Sequence, residues 1–228
     1  MNYIIKKIKE ETQESADIVI RDILINNEKI YLVFSEVLSD GEYINDFILK
    51  KLTVINTNDS LFTYIYNNLP SNSIKEIKEN EILKNIFQGF CILIIEDRYI
   101  AVEAKSVLDR GISQTETEVS LIGPKDAFTE NFNKNLGLIR KRLRTENLIV
   151  NLFILGKESN TKVGLCFMKT IADNKLVNKV KEKLEKINID GIIDTGYIRE
   201  ILLDKESVFP TVNITERPDT VAQALLEG

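Results

Sequence analysis

The 228-residue sequence contains no histidine. That removes the commonest general base and metal ligand, and with them every His-based triad and His-containing zinc site. Cysteine is nearly as scarce. Cys91 and Cys166 stand in separate apolar runs and read as buried, reduced thiols of a reducing compartment, not as a disulfide framework. Long apolar runs are also missing. The longest, Phe90 to Ile95, is far too short to cross a bilayer. The charged start, Met1 to Thr12, lacks the apolar core of a signal peptide. There is no nucleophile-elbow serine, no glycine-rich phosphate loop, no repeat and no low-complexity tract. The residue pattern therefore suggests no catalysis, no cofactor and no metal, and an enzyme is not expected.

What is present is an ordinary globular composition, 43% hydrophobic and 29% charged. The net charge of −5 does not mark a nucleic-acid binder. Its distribution is more telling. Residues 1–111 hold 13 basic and 18 acidic residues, whereas residues 112–228 hold 17 of each. All the excess acidity lies in the first half, which favours a division near the middle.

Residues 118–143 are the centre of the sequence. Val119, Leu121 and Ile122 suggest a short strand, Gly123 breaks it, and Pro124 suits a helix start, where its missing N–H has no partner to lose. Phe128, Phe132, Leu136, Ile139 and Leu143 then recur at helical spacing on one face.

Upstream, the Ile/Val-rich stretches 17–25 and 29–35 flank Asn26-Asn27 and predict a hairpin. Helices are expected over about 43–52, over 60–69 before Pro70, and over 81–88 before Gly89. Between the last two, 71–80 reads as loop or weak helix. Phe90 to Ile95 and Tyr99 to Glu103 predict a second hairpin whose first strand is buried on both faces. Residues 109–117 read as a linker. Downstream, strands are expected over 148–155, 162–168 and 189–193. Helices are expected over 176–187, over 197–203 and from Pro218. The expected fold class is α/β (α+β), with two small mixed-sheet subdomains, 1–108 and 118–228, joined by the linker.

Two stretches carry candidate chemistry. Gly123, Pro124 and Lys125 would open a helix, where outward N–H groups attract anions; a plain helix start is the simpler reading. Arg140, Lys141, Arg142 and Arg144 would form a basic patch at the end of that helix. It reads as a solvated face complementing the helix dipole, or as a surface for acidic lipid headgroups or an acidic partner. Asp190 and Asp194 near glycines fit turn chemistry rather than a calcium loop. The chain ends at Leu225 to Gly228 in what reads as a helix end, so a longer protein is expected.

Six blocks carry a family resemblance. They are Thr115 to Glu118, Gly123 to Glu130, Asn135 to Leu143, Thr161 to Val163 with Ile171 to Asp173, Ile189 to Ile192 with Gly196 to Ile198, and Phe209-Pro210 with Thr215, Glu216, Arg217, Pro218 and Asp219 and then Ala222 to Gly228. In this order and spacing they resemble the A subunit of GerA-type spore germinant receptors. The resemblance implies a hydrophilic N-terminal domain of two α/β subdomains, followed in the whole protein by membrane-spanning helices. It implies a receptor in the inner spore membrane with B and C subunits as partners, other A subunits as possible neighbours, and this domain on the cytoplasmic, spore-core side. Amino acids, sugars or salts would trigger such a receptor, with the B subunit the usual candidate for binding them. Two roles stay open for this domain: assembly and relay of the germinant signal, or a small-ligand module with a pocket between the subdomains near the linker.

Overall fold

A computed structural model describes residues 3–53, 55, 60–71, 73–107, 124–203 and 211–228. The chain divides into two compact units. The first comprises Met1–Asp109 together with Leu136–Glu146, and the second Arg110–Asn135 together with Asn147–Gly228.

In the first unit a five-stranded antiparallel sheet has the order β1-β2-β4-β5-β3. Strands β1 (Ile18–Ile25) and β2 (Glu28–Ser35) pair in full register around Asn26 and Asn27. Both asparagines have positive φ, +49° and +66°, the backbone of a tight hairpin turn that asparagine tolerates. Strand β3 (Ile74–Ile77) is the far edge. Sequence reading treats this stretch as loop or weak helix, because Lys75 and Glu76 break the apolar pattern; charges there suit an exposed edge strand.

The centre of the sheet explains the apolar run at 90–95. In β4 (Phe90–Ile95) every residue is buried, because alternate side chains enter two different cores. Cys91, Leu93 and Ile95 join one core, with Ile100 and Val102 of β5 (Arg98–Glu103). Helices cover that face: α1 (Tyr3–Glu11) excepted, they are α2 (Gly41–Tyr43), running through the π-helical Ile44–Leu49 into α3 (Lys50–Leu52), and α4 (Leu61–Asn68). Phe90, Ile92 and Ile94 enter the other core, against Ile4, Ile5 and Ile8 of α1 and Ile82 and Ile86 of α5 (Ile82–Ile86). Chain reversal after α5 needs Gly89, whose φ is +84°. A Cβ there would meet the Leu38 carbonyl oxygen at 2.8 Å, so glycine is required on two counts.

Helix α6 (Phe132–Arg142) starts later than the sequence suggests. Residues 124–129 are irregular, and Phe128 N–H donates to the Glu216 carbonyl at 2.8 Å. The true cap is Asn131, whose Oδ1 accepts from Lys134 N–H at 2.9 Å, and Asn135 ties back to Thr129 through bonds of 2.7 and 2.6 Å. Leu136 to Arg140 are all buried, so this is not an amphipathic surface helix. The stretch Leu136–Glu146, grouped by sequence with 118–228, packs with the first unit.

The second unit is built on an antiparallel hairpin, β6 (Leu148–Leu155) with β7 (Thr161–Met168). Helix α7 (Asn174–Glu185), capped by Asp173, covers one face: Val177 packs with Ile149 and Phe167, and Leu184 with Leu155 and Ile192. Helices α8 (Thr195–Leu202) and α9 (Pro218–Glu227) follow. Residues 189–193, expected as a strand, are irregular. Their carbonyls at Ile189 and Asp190 accept from Lys157 and Glu158 N–H in the hairpin turn, so they are satisfied without a ladder. The class mixes helix and strand as expected, but the sheets are not the mixed ones expected: every strand pairing among the described residues is antiparallel.

Candidate functional site

The sequence-predicted basic patch is not one surface. Arg140 is fully buried, Lys141 and Arg144 are exposed, and Arg142 is half-buried with its Nη1 donating to the Leu138 carbonyl at 2.8 Å. Arg140 sits in a polar socket of the first unit. Its Nε donates to Asp17 Oδ2 at 2.8 Å and its Nη2 to Asp17 Oδ1 at 2.8 Å, a two-pronged pair with both side chains wholly excluded from water. Nη1 donates to the Thr145 carbonyl at 2.8 Å, and Nη2 also reaches Ser15 Oγ at 3.2 Å. Ser15 and Ser35 hydroxyls donate to Asp17 at 2.8 and 3.3 Å, and the Phe87 ring lies 4.6 Å from the guanidinium carbon. Every charge in the socket is met, as burial of charge demands.

Arg140 is therefore removed from any surface that meets lipid or an acidic partner. Its end-of-helix position gave the wrong environment because the pairing residue lies 123 positions away. Asp17, Ser15 and Phe87 were not singled out from sequence, and no local spacing marks them. Lys141 and Arg144 remain on the outside, where they border a cavity of about 200 Å³ with Lys105, Gln88, Ser106, Leu38 and Phe87.

The predicted anion turn takes a different form. Gly123 lies outside the described residues. Pro124 and Lys125 are exposed and irregular, and the nearest helix begins at Phe132, so neither stands at a helix N-terminus. In the Thr215–Pro218 motif, the residues build the start of α9. Thr215 Oγ1 accepts from Arg217 N–H at 3.1 Å, Glu216 supplies the carbonyl used by Phe128, and Pro218 occupies the first helical turn. Arg217 grips Asp219 at 2.6 and 3.2 Å, which holds that carboxyl below its ordinary range. Asp194 caps α8 through Gly196 N–H at 2.6 Å, the turn chemistry expected of it.

Reactive groups are few. Burial pushes the Cys91 thiol well up from its ordinary value, which makes it inert. Among the described residues no group of three acids or cysteines is placed to hold a metal, and no helix is long and apolar enough to cross a membrane. The larger cavity, about 620 Å³, lies in the second unit. Aliphatic side chains of Val163, Ile192, Ile198, Leu202, Val212 and Val221 line it, with Arg199 and Lys162 among the polar groups.

The sequence profile of the Bacillus/Clostridium GerA spore germination protein family matches residues 6–228. The chain belongs to this GerA family. It is 30% identical to spore germination protein KA of Bacillus subtilis over 98% of this chain and 43% of that protein. It is 35% identical to spore germination protein XA of Bacillus anthracis over 67% of this chain and 32% of that protein. A third relative, stage V sporulation protein AF of Bacillus subtilis, is 30% identical over 94% of this chain and 45% of its own length. The chain thus spans less than half the length of these relatives. Among solved structures it matches the N-terminal domain of the A subunit of the Bacillus megaterium spore germinant receptor GerK3. That match has a TM-score of 0.70 and 30% identity, and it covers 98% of this chain and 86% of the other. The GerA fold and the resemblance seen in six sequence blocks agree.

Proposed function

We propose that this chain is the N-terminal domain of the A subunit of a spore germinant receptor, and that it acts in receptor assembly and in relaying the germinant signal to a membrane complex. The observation that carries this is the likeness to the GerK3 A-subunit domain over nearly the whole chain. In this reading the partners are the receptor B and C subunits and other A subunits, at the inner spore membrane, with the domain on the cytoplasmic, spore-core side. A packed, fully satisfied ionic socket and two apolar cores suit a scaffold, and nothing in them suits bond-making chemistry.

The test is a spore strain whose full-length protein lacks residues 1–228 but keeps the remainder. The expected result is loss of germinant-triggered optical-density decrease, with B and C subunits depleted from the inner membrane. Normal germination with normal subunit levels would overturn the assembly and relay role.

A second reading, a small-ligand module, is favoured by the aliphatic cavity of the second unit, whose volume falls in the usual range for ligand sites. This differs from the pocket expected near the linker, most of which lies outside the described residues. Thermal-shift titration of the chain with amino acids, sugars and salts separates the readings: a saturable shift supports the module, and none supports the scaffold.

A further inference from the structure

Lys141 and Arg144 project from the C-terminal end of α6 and its following turn toward one cavity of about 200 Å³ in the first unit. Cations at a helix C-terminus complement its dipole, which accounts for their sign. It does not account for what they border. Among the described residues neither makes an ion pair; Arg144 spends only its Nε, on the Lys141 carbonyl at 3.2 Å. Among the described residues no acidic side chain lines the cavity. Lys105 adds a third cation to the wall, with its ammonium on Glu103 Oε1 at 2.6 Å. The Gln88 amide and Ser106 hydroxyl, both half-buried, supply neutral donors, and Leu38 and Phe87 close the apolar side.

Two cations with no ion pair among the described residues, beside neutral donors and with no described carboxylate in the wall, make a site for oxygen-rich anions. We infer that this recess binds a phosphate-class oxyanion through Lys141 and Arg144, with Gln88 and Ser106 completing its hydrogen bonds. The volume accommodates one such group, since a water molecule takes about 30 Å³ of liquid volume. The same chemistry is offered by a free anion and by a phospholipid headgroup. Of the predicted basic patch, this keeps the two side chains that face water and leaves out the buried Arg140. The inference stands independently of the receptor reading.

The experiment titrates the 228-residue chain with inorganic phosphate at constant ionic strength, following the amide resonances of Gln88 and Ser106 by NMR. A second arm measures cosedimentation with phosphatidylglycerol vesicles against phosphatidylcholine vesicles. Both arms are repeated with K141Q/R144Q, two exposed positions, after circular dichroism has checked that the variant keeps the fold. Saturable phosphate shifts that weaken about tenfold or more in the variant establish a free-anion site. Vesicle binding lost in the variant, without phosphate shifts, establishes a headgroup site. No saturable response in either arm, or a response unchanged in the variant, overturns the inference. Chloride producing the same shifts as phosphate also overturns it.

Discussion

At the scale of single residues, Arg140 governs the first unit. A guanidinium out of water is tolerated only because Asp17, Ser15 and the Thr145 carbonyl meet its donors and the Phe87 ring covers its face. Removing one partner leaves the other charge buried and unmatched. Asp17→Ala should therefore destabilise the chain by about 3–5 kcal/mol, measured by urea unfolding, and D17L/R140M should be less destabilised than Asp17→Ala alone. A loss under about 1 kcal/mol would show that water reaches the socket. The same logic forbids treating Arg140 as a reversible surface charge, since Arg140→Glu would face Asp17 in a dry site.

Among the elements, α9 shows how a sequence motif becomes a structural joint. Pro218 sets the first turn, and Asp219 near the helix N-terminus is gripped by Arg217. That grip holds the Asp219 carboxyl below its ordinary range. A group depressed in the folded state adds stability above its unfolded pKa of about 3.9, and this stability is lost as pH falls through the lower folded value. The melting temperature of the wild-type chain should thus decline more steeply toward acid than that of Asp219→Asn. The difference should be a few tenths to ~1 kcal/mol, because the pair is partly exposed. Parallel acid limbs for the two proteins would assign the joint to Pro218 and the backbone alone. The hairpins, the buried strand at 90–95, α7 and α9 were legible in the sequence, since each buries residues of its own, and α8, which has no fully buried residue, was legible through the Asp194 and Gly196 that open it. The start of α6 and the edge strand β3 were not. The first depends on Asn131 and Asn135 side-chain bonds, and the second on pairing with β5.

For the whole molecule, the first unit is discontinuous: Leu136–Glu146 belongs with Met1–Asp109. A fragment of residues 1–109 lacks Arg140 and leaves Asp17 without its cation. It should unfold at clearly lower urea than the full chain, by about 3–5 kcal/mol for the unpaired charge alone, followed by circular dichroism. Equal stability would show that the helix is an accessory to an already complete unit. Sequence alone determined the mixed helix-and-strand class, the hairpin turns, the lack of histidine chemistry and, through six blocks, the GerA resemblance. Those properties are local or compositional, so they are written within a few residues of one another. Tertiary structure alone decided that Arg140 is interior while Lys141 and Arg144 are not, and that they border a recess with Gln88 and Ser106. These cations carry the same charge within a few residues of one helix end, and only long-range packing separates a buried guanidinium from a solvated one.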